Sequence, residues 1–360
     1  MRSVQSERPG AVEMLVALDG EDHPVPALAY PLLVGPVGPG ERVLVNTTAV
    51  ELGLGTGGMH FVVAVLRQED LSAPERGRIM KLRYTPHQVN VLTAEEPGSP
   101  YREAMEAAEG LDGTPVVWVP LHSMLGPVAA GAVAAGAGRV VYVMTDGAAL
   151  AAPLSRLAAA LRDTGLVASV ISSGQAFGGD IECVNVFSGL LAARHVALAD
   201  VIVVGDGPGN TGTATTWGAS VLASAMSMNA AAILGGRPVA ALRVSFADGR
   251  DRHRPVSHHS ITALGRVAMI PVHVAVPSIE DPGRRESVWA ELKIAGLESR
   301  HQLVETTGQP ALDLLESEGI RTESMGRGIA DDPEFFLAAG AAGVLAGRMA
   351  ARDREWGTSS

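Results

Sequence analysis

The residues with the most chemical promise form one glycine-rich stretch, Asp206-Gly207-Pro208-Gly209-Asn210-Thr211-Gly212-Thr213. It has the G-x-G-x-x-G spacing of a phosphate-binding loop, with the apolar run Val201–Val204 before it and a helical pattern after it. Glycines there would let backbone amides approach an anion, and the positive end of the following helix would favour it. Thr211 and Thr213 would add hydroxyl donors, Thr213 as the helix N-cap. A tight turn without a ligand uses the same residues, so both readings stand. A dinucleotide loop also needs an acid about 20 residues further on, at the end of the next strand. The nearest candidate, Asp248, lies too far away behind a long helix, which argues against NAD. A second match, Gly53-Leu54-Gly55-Thr56-Gly57-Gly58, precedes a strand rather than a helix and reads as a glycine-rich turn.

Carboxylates and imidazoles come next. In Gly174–Glu182, Asp180 and Glu182 are placed at the start of a helix whose apolar stripe is Val184, Phe187 and Leu191. Glu182 and Asn185 would then share the opposite face and offer a carboxylate and an amide to a metal or a reacting proton. Acids at a helix start also simply offset the macrodipole. His253, His258 and His259 form a histidine cluster suited to proton transfer or metal binding. Adjacent histidines on a helix point about 100° apart, however, so His258 and His259 are not expected to share one ion. Ser257 reads as the N-cap in front of them. His122-Ser123 could pair a base with a nucleophile, although a strand-end hydrogen-bonding pair is the simpler account. Arg327 could clamp an anion or sit as a surface arginine. Cys183 is expected to be a buried, inert thiol within a helix.

Bulk composition excludes several classes. A net charge of −11 argues against nucleic acid and anionic membranes as partners. The single cysteine allows no intrachain disulfide, and Met1–Gly10 has no apolar signal core, so a cytoplasmic location is expected. Ala214–Leu234 is the most apolar helix candidate, yet Ser, Thr and Asn interrupt it too often for a membrane span. Small-residue helices in a chain that is 47% hydrophobic predict a homo-oligomer.

These side chains need elements to hold them. Residues 1–110 read as a small β-rich, barrel-like domain, with strands at Val12–Leu18, Val25–Tyr30, Arg42–Thr47, His60–Leu66, Arg78–Tyr84 and Gln88–Ala94, and no helix before Tyr101–Glu109. Residues 111–352 alternate continuous apolar runs with Ala-rich helical stretches, the signature of a parallel sheet covered on both faces. Strands are placed at Pro115–Val119, Val140–Met144, Leu166–Ile171, Val201–Val204, Val239–Val244, Ala268–Val276, Gln302–Glu305 and Ile320–Ser324. Helices include Ala149–Asp163, Ala214–Leu234, Glu286–Ala295, Pro310–Glu318 and Pro333–Arg352, and residues 353–360 form a frayed tail. The fold class is α/β, Rossmann-like and doubly wound, with a closed eight-unit βα barrel as the alternative. In either architecture ligands bind beyond the carboxyl ends of the strands. The loops there, among them Thr145-Asp146-Gly147 and Ser172–Asp180, hold most of the domain's glycines, hydroxyls and histidines.

Taken together, Gly77–Gln88, Gly174–Asp180, Gly205–Thr213 and Ser257–Ser260 resemble a bacterial family known as domain of unknown function 3866. The resemblance implies no activity, cofactor or catalytic residue. The functional expectation therefore rests on the residues. It is a hydrolase or transferase acting on a phosphorylated or carboxylated small molecule, with Gly207, Gly209, Asn210, Thr211, Gly212 and Thr213 at the anion. Asp206, Asn185 and Arg327 would add ligand contacts. Asp180, Glu182, His258, His259 and His122 would supply acid–base chemistry, or a divalent metal site. The alternative is a non-catalytic ligand-binding or regulatory protein using the same crevice.

Overall fold

Alternating apolar and polar residues become strands in the N-terminal part of the computed structural model, which describes residues 1–67 and 77–357, with 353–357 by backbone alone. The chain divides into two units, Met1–Leu92 and Thr93–Ser360. The first contains β1 (Ser3–Arg8), β2 (Ala11–Val16), β3 (Val25–Ala29), α1 (Pro31–Val34), β4 (Val43–Asn46), α2 (Thr48–Glu51), β5 (His60–Val65), β6 (Ile79–Lys81) and β7 (Val89–Val91). Five strands form one sheet in the order β1-β2-β3-β5-β4, antiparallel except where β3 meets β5, and β6 pairs with β7 separately. The sheet is open, with β1 and β4 at its edges. Val12, Met14, Val16, Ala27 and Ala29 face its core. Two details depart from expectation. The polar β1 is a strand because a hairpin through Gly10, at φ 79°, lays it along β2. One-turn helices α1 and α2 precede Tyr101, the first started by Pro31, whose ring already holds a helical φ.

The second unit runs α3 (Arg102–Ala107), β8 (Pro115–Trp118), α4 (Leu125–Ala134), β9 (Val140–Thr145), α5 (Arg156–Asp163), β10 (Ser169–Ser172), β11 (Ile181–Glu182), α6 (Val186–His195), β12 (Val201–Asp206), α7 (Val221–Ile233), β13 (Arg237–Ala241), α8 (His258–Thr262), β14 (His273–Pro277), α9 (Pro282–Ile294), β15 (Gln302–Thr306), α10 (Gln309–Ser317) and α11 (Pro333–Gly357). Its eight strands lie in the order β11-β10-β9-β12-β8-β13-β14-β15, and every neighbouring pair is parallel. Both edges are free of each other, so the sheet is open and the closed barrel is ruled out.

Strand alternation builds two cores. Trp118, Val143, Val204 and Ala240 face one layer, packed with α6, α7 and α9. Val117, Tyr142, Val203 and Ala241 face the other, packed with α4, α5, α10 and α11. Helix α11 is long and apolar enough over Pro333–Arg352 to cross a membrane, which the sequence reading had not singled out, but 72% of its apolar window is buried within the fold. It is apolar all round because it is a core helix lying between the sheet and α4. A Cβ on Gly343 would overlap the Val128 carbonyl of α4, so glycine sets this close crossing.

Other corrections are local. Ile320–Ser324 is not a strand and makes only a single bridge, Ser324 to Arg327, because no neighbouring strand offers it a ladder. Helix α5 starts at Arg156, capped by the Ser155 hydroxyl, and β14 starts only after a π-helical turn, Ala263–Val267, has ended. The tail is helical to Gly357, and residues 358–360 lie outside the described residues.

Candidate functional site

Connections leave the sheet on opposite faces at two adjacent strands. The chain after β9 runs to α5 in one layer, and the chain after β12 runs to α7 in the other. Their loops diverge and open a crevice beyond the carboxyl ends, as the geometry of doubly wound sheets requires. A cavity of about 240 Å³ occupies it.

The wall is polar. The β9 loop contributes Thr145, Asp146 and Gly147, β10's loop Ser173 and Gly174, and β12 its last residue, Asp206. Asn185 adds to it, as do Ser224 and Ser227 of α7. Asp206 organises this wall. It is 2% exposed, and its carboxylate accepts from Thr145 Oγ1 at 2.7 Å, Gly147 N at 3.0 Å and Asn210 Nδ2 at 3.1 Å. Burial raises its pKa above the usual carboxylate range, and these donors offset part of that rise. Glycine is required at two places. A Cβ on Gly147 would sit 2.6 Å from Asp206 Oδ1. Gly174 has φ +67°, and its Cβ would overlap the Asp146 carboxylate.

A polar string runs beneath Asp206. Tyr142 donates to the Asp206 carbonyl at 2.9 Å, His122 Nδ1 lies 3.3 Å from the Tyr142 hydroxyl, and His122 Nε2 lies 2.6 Å from Ser155 Oγ. With Tyr142 donating to the carbonyl, Nδ1 of a neutral His122 donates and Nε2 accepts. Burial pushes the His122 pKa down to about 4. Ser123 turns elsewhere, donating to Ser324 Oγ at 3.1 Å, so His122 and Ser123 do not form a base–nucleophile pair.

The glycine-rich loop differs from its expected form. Helix α7 begins at Val221, not directly after Thr213, and Ser220 precedes it. The Thr211 amide is taken by Ser220 Oγ and the Thr213 amide by the Gly218 carbonyl, so Thr213 is no N-cap and these two amides are not free for an anion. Gly207 packs tightly against Met144 and the Ala149 carbonyl, whereas Gly209, at φ +96°, faces open space. Gly212 lies against the His259 ring. Of the loop's residues, Asn210 reaches the crevice wall through Asp206.

Asp180 and Glu182 are also elsewhere than expected. After β10 the chain doubles back, so that Asp180 accepts from Val170 N at 2.8 Å and pairs with Arg162. This places it away from the carboxyl ends, which the crevice occupies. Glu182 lies in β11, not in a helix, and its carboxylate accepts from Ser172 Oγ at 2.7 Å and Gly178 N at 2.6 Å, closing that loop. Helix α6 starts four residues later than Glu182, with Asn185 as a capping-box N-cap. Val184 and Phe187 are consequently exposed, and Leu190 carries the buried face. Asn185 does line the crevice. Cys183 is fully buried in the turn before α6.

Beyond β13 stands a second polar group. Asp248, 2% exposed, pairs with Arg243 at 2.7 Å and Arg250 at 2.9 Å, while Arg327 reaches Asp332 at 3.3 Å and Asp248 at 3.6 Å. The arginines hold the Asp248 carboxyl far below its ordinary range despite its burial. Arg327 is therefore part of an ion-pair network. Next to it, His253, His258 and His259 converge, with ring centroids 5.2, 5.1 and 4.2 Å apart. Ser257 caps α8 as expected, accepting from His259 N at 3.3 Å.

Sequence reasoning named Asp206, Asn210 and Asn185 as site residues and the loops Thr145-Asp146-Gly147 and Ser172–Asp180 as ligand loops, but gave no role to Thr145, Asp146, Gly147, Ser173 or Gly174 individually, and none to Ser224 and Ser227. The signal for the first five was their position in loops after strands. For Ser224 and Ser227 it was the set of hydroxyls that interrupts an otherwise apolar helix.

Fold and site together define an open, parallel α/β protein with a carboxylate- and hydroxyl-bearing crevice at a topological switch point. The chain belongs to the family described as Protein of unknown function (DUF3866), whose model matches residues 26–343. No curated protein and no solved structure matches it.

Proposed function

We propose that the chain binds a small hydroxyl-rich molecule, uncharged or amine-bearing, in the crevice around Asp206, and works as a ligand-binding protein. One observation carries this reading: the polar groups of the cavity wall, set beside Val186, Ala223 and Met226, are hydroxyls, amides and the carboxylates of Asp146 and Asp206, with no Lys, Arg or His among the described residues that line it. Carboxylates and hydroxyls accept and donate to sugar-type hydroxyls or amines, and they repel a phosphate. The absence of catalysis from this reading rests on how the titratable groups are used. Asp206 is already engaged by donors from Thr145, Gly147 and Asn210, and Asp180 and Glu182 brace the β10 loop.

The test is a thermal-shift screen of the full chain against sugars, polyols, nucleosides, amines and their phosphates, repeated with Ala223→Phe. Ala223 lines the cavity from an exposed position of α7, so a ring there fills the space without disturbing the core. Uncharged or amine-bearing compounds should raise the Tm, and the variant should abolish the rise. A flat screen, or a rise that persists in Ala223→Phe, sinks the reading.

A second reading is hydrolase or transferase action on a phosphorylated or carboxylated ligand. It draws on Arg243, Arg250 and Arg327, whose guanidinium groups gather around Asp248 beyond β13. In the same screen it predicts a response to phosphates that Arg250→Gln removes and Ala223→Phe leaves intact.

A further inference from the structure

We propose that His253, His258 and His259 form a site for one divalent transition-metal ion of the kind that imidazole favours, with zinc the reference case. This site lies beyond β13 and does not rest on the ligand reading of the crevice.

Geometry carries the argument. One ligand nitrogen from each of the three rings can be chosen so that all lie within 4.8 Å of one another. That spacing is somewhat wider than a bound ion needs, so small rotations of the rings would close it. The expectation that adjacent helix positions diverge fails here for a local reason. His258 and His259 occupy the first turn of the five-residue α8, and His253 reaches them from the turn Asp251–His253 just before it. The Ser245 amide donates to the Pro255 carbonyl and the Ser257 amide to the Arg243 carbonyl, folding that turn back over α8.

An independent observation points to an occupant. His258 Nε2 is buried and has no hydrogen-bond partner among the described residues. A buried polar nitrogen left unpaired is costly, and a metal ion is a partner to which its lone pair can be donated. The outer contacts suit ligation. Ser257 Oγ holds His253 Nδ1 at 2.8 Å, which leaves Nε2 for the ion and fixes the ring, as partners outside a metal's own ligands commonly do.

The surrounding charges are mixed. Arg243, Arg250 and Arg252 oppose a bare dication, and Asp248 favours one. An anion taken up with the ion would offset the positive charge of these arginines. Three histidines with an open fourth position are the pattern of a reactive rather than a closed zinc site.

The experiment uses the full chain stripped with a chelator and titrated with Zn(II), and separately with Co(II). The expected result is one tightly bound equivalent, an intense visible cobalt band of low coordination number, and a raised Tm on metal addition. His258→Gln and His259→Gln should each weaken binding by more than about 100-fold, beyond the roughly 10–100-fold that loss of an outer partner costs. Should either variant fold poorly, imidazole nitrogen NMR of the unsubstituted chain decides: resonances of His253, His258 and His259 should shift together with the first equivalent. No stoichiometric binding, unchanged affinity in the variants, or shifts confined to other histidines would overturn the proposal. A flat ligand screen with intact zinc binding would remove the crevice reading alone.

Discussion

The Thr145 hydroxyl at the end of β9 donates to the Asp206 carboxylate at the end of β12 across 2.7 Å. The bond joins two neighbouring strands where their onward chains part, and Gly147 and Asn210 close on the same carboxylate from either loop. One buried acid thereby fixes the wall of the crevice.

Asp206→Ala should leave the Thr145, Gly147 and Asn210 donors unpaired and lower stability by about 1–3 kcal/mol. Asp206→Asn should cost much less, since Asn210 can turn its amide to meet the new donor. Because burial raises the Asp206 pKa, its ionisation opposes folding as pH rises, and Asp206→Asn should remove that component. Denaturant melts of the two variants at several pH values check both statements.

Gly174→Ala should abolish ligand binding in the crevice and cost about 1–3 kcal/mol. The residue has φ +67°, and a methyl group there would overlap the Asp146 carboxylate. Asp180→Asn is the contrasting case. Its pair with Arg162 is partly exposed, so a loss below about 1 kcal/mol and unchanged ligand affinity are expected. Calorimetric titration with the best compound from the screen distinguishes the two variants.

Stability should fall on acidification. Burial holds His122 and His259 near about 4 and His253 near about 3, against an ordinary 6.5. The unfolded chain therefore binds more protons in that window, so stability is full above pH 6.5 and declines toward pH 4. His122→Phe should flatten the slope of Tm against pH by up to one proton's worth. An unchanged slope would show that His122 is not buried neutral.

Gly343→Ala should destabilise the fold by about 1–3 kcal/mol, because a methyl group would meet the Val128 carbonyl and force α11 away from α4. The substitution raises intrinsic helix propensity, so any loss of Tm reports the crossing itself.

Strand type was legible because Val116–Trp118, Val140–Met144 and Val201–Val204 are apolar at every position, and only a strand covered on both faces needs that. The site's loops were legible from their place after strands, and Ser257 from its capping chemistry. The role of Asp180 was not, since a carboxylate ahead of an apolar run looks alike at a helix start and in a chain that doubles back along β10. Nor was the histidine convergence, which depends on backbone bonds from Arg243 and Ser245 to residues beyond His253.

By itself the sequence determined the α/β class, the parallel pairing and the positions of most strands, because local hydrophobic period is a property of each segment. Tertiary structure decided the strand order, which loops became neighbours and which amides remained free. Those depend on contacts between residues far apart in the chain, such as Thr145 with Asp206 and Gly212 with His259, and no local pattern encodes them.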